Sequence, residues 1–257
     1  MSAFDVTTAA TAGPARSGQV VHLTVSPKLV LFPGETLIDD RHAEGRIYIV
    51  GGGSESYVAR GGPPTRYPDR GHWAVPTPAG TYRLGPQHHH VTNSWPMSCI
   101  PWDANLRVGS DQEIEFETGG IWLRATGSYG RFTKLWLAES AKRLGRPLTM
   151  SEKVQVNQAC RRLFYDTGGT LMASWTKNDF GKWAWNLFRG GAKTVYYVHT
   201  TPDDELATVT PGATVSLDNS HGCVHLRPAD RDEMMTKGYL KKGRIFEVRP
   251  YGVKGPP

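Results

Sequence analysis

The sequence predicts a mainly β chain with α-helical insertions, an α+β fold, and three observations support this class. Its 29 glycines, 18 prolines and 10% aromatic residues are typical of a protein with many turns and short strands. Short apolar runs typical of strands recur before Phe132, whereas helical spacing of apolar residues begins only there. A chain of 257 residues can also bury a substantial core, as one large domain or two small ones.

The first part of the chain predicts an antiparallel meander. Its strands are QVVHLTVS, KLVLF and RIYIVGG, within residues 19–52, and turn-forming segments separate them. Residues 1–17 are rich in Ala, Thr, Gly and Ser and predict a flexible lead. Residues 51–53 are glycines without the Lys and helix that complete a phosphate loop, so we interpret them as a turn.

The middle of the chain predicts two more strands and then two helices. IEFE and IWLRA, within 107–125, are expected to continue the same sheet system. The first helix is expected from Phe132 to the glycine at 145, and the second from Thr149 to the glycine pair at 168–169. We interpret His88, His89 and His90 as a solvated turn, because adjacent side chains of an extended segment cannot all converge on one ion.

An aromatic cluster follows these helices in SWTKNDFGKWAWNLFRGG. Five aromatic residues fall between Trp175 and Phe188, which favours core packing but also fits an insertion that walls a substrate groove. We therefore expect a helical, Trp-rich insertion at about 132–191. Beyond it, Pro228 predicts the start of a further helix, RIFEV predicts a closing strand, and residues 251–257 are expected to form a tail.

Charge and hydropathy exclude several classes of protein. The net charge of +6 favours anionic surroundings, but the basic residues are scattered and no nucleic-acid motif accompanies them, so we expect no nucleic-acid partner. No run of 18 apolar residues predicts a transmembrane segment. The N-terminal residues have neither the basic nor the apolar region of a cleavable signal peptide.

The segment SHGCVHL, residues 220–226, carries the clearest chemical signal. Cys223 stands between two histidines, and an imidazole that takes its proton would make the thiolate available near neutral pH. Gly222 allows a tight turn that presents backbone N–H groups to a bound carbonyl. His199 ends the apolar strand TVYYVH and supplies a general base. Of the other cysteines, Cys160 is expected to be buried in a helix, and Cys99 has no readable role.

These residues resemble the L,D-transpeptidase catalytic domain, the YkuD-like cysteine transpeptidases of bacterial peptidoglycan. The resemblance rests on a strand ending in His, a loop and SHGC, with VPTPAGTYRLG upstream and RPADRDEMMTKGYLKKGRIFEV downstream. It implies one catalytic domain over residues 18–250, a β-sandwich or mixed sheet with the nucleophilic cysteine on a loop at the end of a strand. It implies no metal and no cofactor.

The resemblance also implies a role for each site residue. Cys223 is the nucleophile that forms a thioester with a peptidoglycan stem peptide, and His199 is the general base. The carbonyl of Thr200 orients His199, His221 supports the base, and the backbone N–H groups of Gly222 and Cys223 hold the oxyanion. Three residues are expected to bind substrate: Ser220, His225 and Arg227. Ser220 can also form a hydrogen bond within the loop.

The sequence departs from the family pattern at three places. Twenty residues separate His199 from Ser220, which indicates an insertion in that loop. Thr200 replaces a frequent glycine, and His225 stands where Arg or Asn is commoner. Arg227 could supply the missing positive charge if the strand continues.

Several functions remain open at this point. The acyl group can pass to a second stem, to a free D-amino acid or to water, so cross-linking, exchange and L,D-carboxypeptidase activity are all expected possibilities. A role in cell-wall biogenesis and cell shape places the protein in the periplasm or outside the cell. The alternative is a secreted antibacterial effector, with a secretion machine and an immunity protein as partners. More remote alternatives are a His/Cys metal site and a non-catalytic wall-binding module.

Overall fold

A computed structural model describes residues 26–69, 72–217 and 220–256. In these residues the chain is mostly β with four α-helices, which confirms the mainly β, α+β class. The expected flexible lead at 1–17 lies outside the described residues, as does the first expected strand apart from Ser26.

The described strands and helices alternate unevenly along the chain. The strands are β1 (Lys28–Leu37), β2 (Ala43–Val50), β3 (Ser56–Arg60), β4 (Tyr67–Asp69), β5 (His72–Ala74), β6 (Gly80–His88), β7 (Leu106–Val108), β8 (Ile114–Thr118), β9 (Ile121–Arg124), β10 (Ala184–Arg189), β11 (Ala192–His199), β12 (Val224–Leu226) and β13 (Ile245–Val248). The helices are α1 (Arg131–Leu144), α2 (Met150–Arg162), α3 (Pro202–Val209) and α4 (Pro228–Thr236).

Eight of these strands close into a barrel in the order β1-β13-β6-β10-β11-β12-β3-β2. β1, β2 and β3 form an antiparallel meander in which β2 pairs on both sides. β1 contains the expected strand KLVLF and β2 most of RIYIVGG, whereas β3 was not expected. β1 also pairs in parallel with the last strand, with Leu29 opposite Phe246, so the first and last barrel strands meet. Of the two expected alternatives, a β-sandwich and a mixed sheet, the structure has the mixed sheet: β1–β13 and β11–β12 pair in parallel and the other barrel pairs are antiparallel. This sheet closes on itself as a barrel and does not form a sandwich. Side chains of alternate residues fill the barrel, including Leu31 and Ile47, both fully buried.

A second, smaller core lies outside the barrel. β7, β8 and β9 form their own three-stranded antiparallel sheet, so the expectation that they extend the first sheet is wrong. The reason is that Ile114 and Phe116, both fully buried, pack in a cluster that joins residues of α1, α2 and the chain after α2. Phe132, Phe164 and Trp175 stack edge to face or tilted at its centre, with centroids 4.8 to 5.3 Å apart.

The expected helical insertion at 132–191 is only partly helical. α1 and α2 are present, and Thr149 forms a capping box with Glu152 at the start of α2. However, α2 ends at Arg162, and residues 184–189 form the barrel strand β10. Gly190 and Gly191 both have positive φ and connect β10 to β11 as a two-residue hairpin turn. A glycine pair between two apolar runs is typical of a β-hairpin. The expected end of the insertion at about 191 is therefore a hairpin turn between two barrel strands.

Candidate active site

The parallel pair β11 and β12 brings the sequence-predicted residues together. Val198 pairs with Val224 and His199 pairs with His225. Both valines are fully buried in the barrel core, and side chains of neighbouring strand residues point to opposite faces. His199 therefore lies on the outer face, and Cys223, just before β12, is its diagonal neighbour on that face. Residues far apart in sequence thus meet because two strands lie side by side.

Gly222 occupies a position that no other residue fits. Its φ of +120° is unfavourable for L-residues, and an added Cβ would lie 2.8 Å from Cε1 of Tyr196. On its other side, the Cα of Gly222 lies 2.9 Å from the Cβ position of Gly62, another glycine held close against backbone. The backbone directly before Cys223 therefore has a conformation that favours glycine.

Hydrogen bonds within and below this loop fix its shape. The Ser220 hydroxyl donates to the carbonyl of Cys223 at 2.7 Å and accepts from the Gly222 N–H at 3.1 Å. Ser220 is buried, so the structure gives it a loop-holding contact, one of its two expected roles. Ser220 takes the Gly222 N–H in this arrangement, so the expected oxyanion role of that N–H stays a prediction.

Thr77 anchors the loop from the opposite side. Its buried hydroxyl donates to the Gly222 carbonyl at 3.0 Å and accepts from the Gly62 N–H at 2.8 Å. Tyr251 completes this anchor, since its hydroxyl donates to the Gly62 carbonyl at 2.7 Å and accepts from the Thr77 N–H at 3.2 Å. Sequence reasoning missed both residues. Thr77 lies in the VPTPAG segment that carried the resemblance, whereas Tyr251 had been assigned to the tail.

His199 has the tautomer that a general base requires. Its Nδ1 lies 2.6 Å from the carbonyl oxygen of Thr200, which can only accept, so Nδ1 carries the proton and Nε2 does not. The expected contact with Thr200 is therefore present. The ring is buried between Phe180 and His225, at centroid distances of 4.5 and 4.6 Å. Burial, then the nearby His225, holds the pKa of His199 well below its usual range.

Thr200 is held by a buried ion pair, Glu205 with Arg231. The Thr200 hydroxyl donates to Oε1 of Glu205 at 2.5 Å, and the N–H of Lys182 donates to the same oxygen at 3.0 Å. Arg231, only 2% exposed, forms an ion pair with Glu205. Glu205 lies on α3, inside the segment that was expected to be an insertion loop. That segment thus contributes a support for the carbonyl that orients His199.

Cys223 is partly exposed, but its thiol is held in the neutral form. Burial raises the pKa of the Cys223 thiol to about 12, against a smaller opposing effect of the Tyr197 backbone N–H. That a neighbouring imidazole takes this proton and makes the thiolate available near neutral pH stays a prediction. Thiol and imidazole are both neutral, so the proton must move from Cys223 to His199 as the thiol attacks a bound carbonyl.

Cys223 lies between two clefts, which we name by the elements that wall them. The α1 cleft, of about 410 Å³, is bounded by α1 and by the chain before β10, and His199, Ser220 and His225 line it. The β11 cleft, of about 580 Å³, is bounded by β5 and by residues 193–197. Cys223 and Phe180 line both. Phe180 of the aromatic segment and three residues of α1 wall the α1 cleft; that this cleft is a substrate groove stays a prediction.

The aromatic cluster divides between core and site. Trp175 and Trp185 are fully buried in the two cores, whereas Phe180 faces both clefts. His90 is buried and packs on Phe180 at 3.8 Å, so the expectation of a solvated turn at 88–90 is wrong for this residue. Burial lowers the pKa of His90 to about 4.

The remaining predicted residues lie at different distances from this centre. His221 lines both clefts, with Nε2 3.1 Å from Oδ2 of Asp69 and its ring edge-on to Trp95, so it joins the loop to β4. His225 is buried in the α1 cleft against His199. Arg227 is exposed at the start of α4 and lines neither cleft, and its substrate role stays a prediction. Arg143 of α1 is the arginine that lines the α1 cleft instead.

Two further observations concern metals and membranes. In residues 26–69, 72–217 and 220–256, no group of three His, Cys, Asp or Glu side chains could hold a metal ion. None of the helices in the same part of the chain is long and apolar enough to cross a membrane.

Cys223, directly before β12, and His199, at the end of the adjoining strand β11, line the same cleft, and a thiol with an oriented imidazole is what cysteine-dependent acyl transfer requires. The family model of the YkuD L,D-transpeptidase catalytic domain matches residues 37–244. The chain therefore belongs to the L,D-transpeptidase catalytic domain family, which consists of cysteine transpeptidases that act on peptidoglycan. No significant match was found among curated proteins or among solved structures.

Proposed function

We propose that this protein is a cysteine acyltransferase that acts on peptidoglycan stem peptides through a thioester. The observation that supports this most strongly is the position of His199. Its Nδ1 is committed to the Thr200 carbonyl, and its unprotonated Nε2 belongs to a ring that lines the same cleft as Cys223. A histidine held in this way can take the thiol proton and later return it.

In the first half-reaction, Sγ of Cys223 attacks the carbonyl that links the diamino acid to the terminal D-alanine. The S–C bond forms as the thiol proton moves to His199, and the C–N bond then breaks. His199 gives the proton to the departing amine, which leaves as D-alanine. The backbone N–H of Cys223 is the oxyanion donor in this proposal, since Ser220 occupies the N–H of Gly222.

The second half-reaction transfers the acyl group to an amine or to water. Two clefts that meet at Cys223 support a mechanism in which donor and acceptor approach from opposite sides. The α1 cleft, of about 410 Å³, has room for an amine acceptor as well as for water. We therefore propose L,D-transpeptidation or D-amino-acid exchange as the main activity, in a compartment that contains peptidoglycan.

The test uses purified peptidoglycan, with and without an added D-amino acid, and resolves the muropeptides by chromatography and mass. Wild-type protein should produce dimers joined through two diamino acids, or tetrapeptides with an exchanged terminal residue. The Cys223→Ala variant should produce neither. Accumulated tripeptides alone would overturn the transferase proposal in favour of a carboxypeptidase, the product pattern expected of a stem-trimming effector.

A further inference from the structure

The α1 cleft contains one carboxylate that the thiol and imidazole leave unused. Asp179 directly precedes Phe180, whose ring packs on His199, and it lines the α1 cleft. The buried Ser98 hydroxyl donates to Oδ2 of Asp179 at 2.9 Å. The preceding residue, Asn178, is fully buried and donates to the carbonyls of His90 and Ile100, at 2.9 and 2.8 Å. The backbone that carries this carboxylate is therefore firmly held beside the reacting groups.

The charge of Asp179 has no counter-ion within the described part of the chain. The ion pairs of residues 26–69, 72–217 and 220–256 do not include it, although Lys177 and Lys182 line a cavity that adjoins the α1 cleft. Lys177 instead donates to the carbonyl of Leu163 at 2.8 Å. Burial raises the pKa of Asp179 to about 6, so at neutral pH the carboxylate is ionised but poorly solvated. A cationic ligand would relieve that cost, and such perturbed groups are concentrated at functional sites.

The two clefts differ in the sign of the charge that they offer. Among the described residues, the β11 cleft is lined by Lys193 and by no Asp or Glu. The α1 cleft is lined by Asp179, by the exposed Asp203, and by Glu139, which is paired with Arg143. A donor stem that ends in a carboxylate therefore fits the β11 cleft, whereas an amine, which is cationic in solution, fits the α1 cleft.

We propose that Asp179 binds the ammonium group of the acyl acceptor and so directs the thioester toward amines and away from water. This inference rests on the proposed acyltransferase function and names the acceptor class for the same site. The acceptor arrives as R–NH₃⁺ and passes one proton to His199. Its nitrogen attacks the thioester, the C–N bond forms, and the C–S bond breaks. The nitrogen gives a second proton to the departing Cys223 thiolate, which becomes a thiol. His199 then releases to solvent the proton that it took from the ammonium group.

The experiment measures how one pool of acyl-enzyme divides between an amine and water. The donor is a tetrapeptide stem that ends in diaminopimelate–D-alanine, the acceptor is D-methionine, and the products are quantified by mass at pH 7.5. For Asp179→Asn, which keeps the size of the side chain and an acceptor for Ser98, the ratio of exchange to hydrolysis should fall at least tenfold. Because the ratio is taken within one acyl-enzyme pool, a slowly acylated variant still reports it.

Matched variants separate a specific site from general electrostatics. Asp103→Asn removes an exposed carboxylate that lines neither cleft, and its ratio should stay within about twofold of wild type. If Asp179→Asn does not fold, Ser98→Ala removes only the hydroxyl that holds the carboxylate, and it should lower the ratio about threefold. An unchanged ratio in Asp179→Asn, with acyl-enzyme formed, overturns this inference alone. The absence of acyl-enzyme in the wild type overturns the proposed function, and this inference with it.

Discussion

The clearest structural prediction concerns Thr77, which holds the loop before Cys223 in place. Thr77→Val keeps the shape of the side chain but removes the hydroxyl. The N–H of Gly62 and the carbonyl of Gly222 then lose their partner, and both bonds are buried. Each unsatisfied buried group costs about 1–3 kcal/mol, so we expect the free energy of unfolding to fall by about 2–6 kcal/mol.

The same substitution should also slow acylation, because the Gly222 carbonyl loses its hydrogen bond from Thr77 and the peptide before Cys223 is no longer held in place. The assays are denaturant unfolding and the rate of acyl-enzyme formation at a temperature where wild type and variant are both folded. Thr65→Val is the matched control, since its hydroxyl bonds the Asp40 carbonyl at an exposed position. The control should change stability by less than about 0.5 kcal/mol. A Thr77→Val protein as stable and as active as this control would refute the reasoning.

Three further predictions concern the support, the acid stability and the charge of the site. Glu205→Gln should lower the acylation rate at least tenfold and leave KM nearly unchanged. Glu205→Asp should recover part of the rate. Equal acylation rates in wild type and both variants would contradict a positioning role for Glu205. The pKa of His90 in the folded protein is about 4, below its value of about 6.5 in the unfolded chain. As pH falls from about 6.5 to 4, the unfolded chain is therefore protonated at His90 before the folded protein is, and the free energy of unfolding decreases. This loss is up to about 3 kcal/mol, and the difference between wild type and His90→Gln in denaturant titrations should show it; a pH-independent difference would contradict it. Arg143→Ala should weaken activity on stem peptides severalfold, whereas Arg227→Ala, outside both clefts, should not, and the reverse result would support the sequence-based assignment.

The local parts of the fold could be predicted from the sequence because their signals lie within a few residues. The capping residue Thr149, the glycine at 145 and the alternation in β2 each fix one element and its limits. The SHGC motif likewise identified Cys223 and the need for glycine at 222. These features depend on local backbone preferences, which a single segment contains in full.

The remaining features depend on pairings between distant segments. Barrel closure needs Leu29 to meet Phe246, and nothing in either strand alone specifies that partner. The same holds for Tyr251, whose hydroxyl reaches Thr77 and Gly62 from the C-terminal end of the described chain. The direction of the pKa shift at Cys223 also could not be predicted. It depends on how far the folded chain buries the thiol, and the local sequence does not specify that burial.

The central claim is that Cys223 is the acyl-carrying nucleophile, and intact-protein mass spectrometry tests it most directly. A tetrapeptide stem or a carbapenem should add one acyl group, and peptide mapping should place it on Cys223. Cys99 and Cys160 are buried and line neither cleft, so neither should be labelled. Cys223→Ala should remain folded and form no adduct. Full activity in that variant, or loss of wild-type activity on chelator treatment alone, would contradict the thiol mechanism.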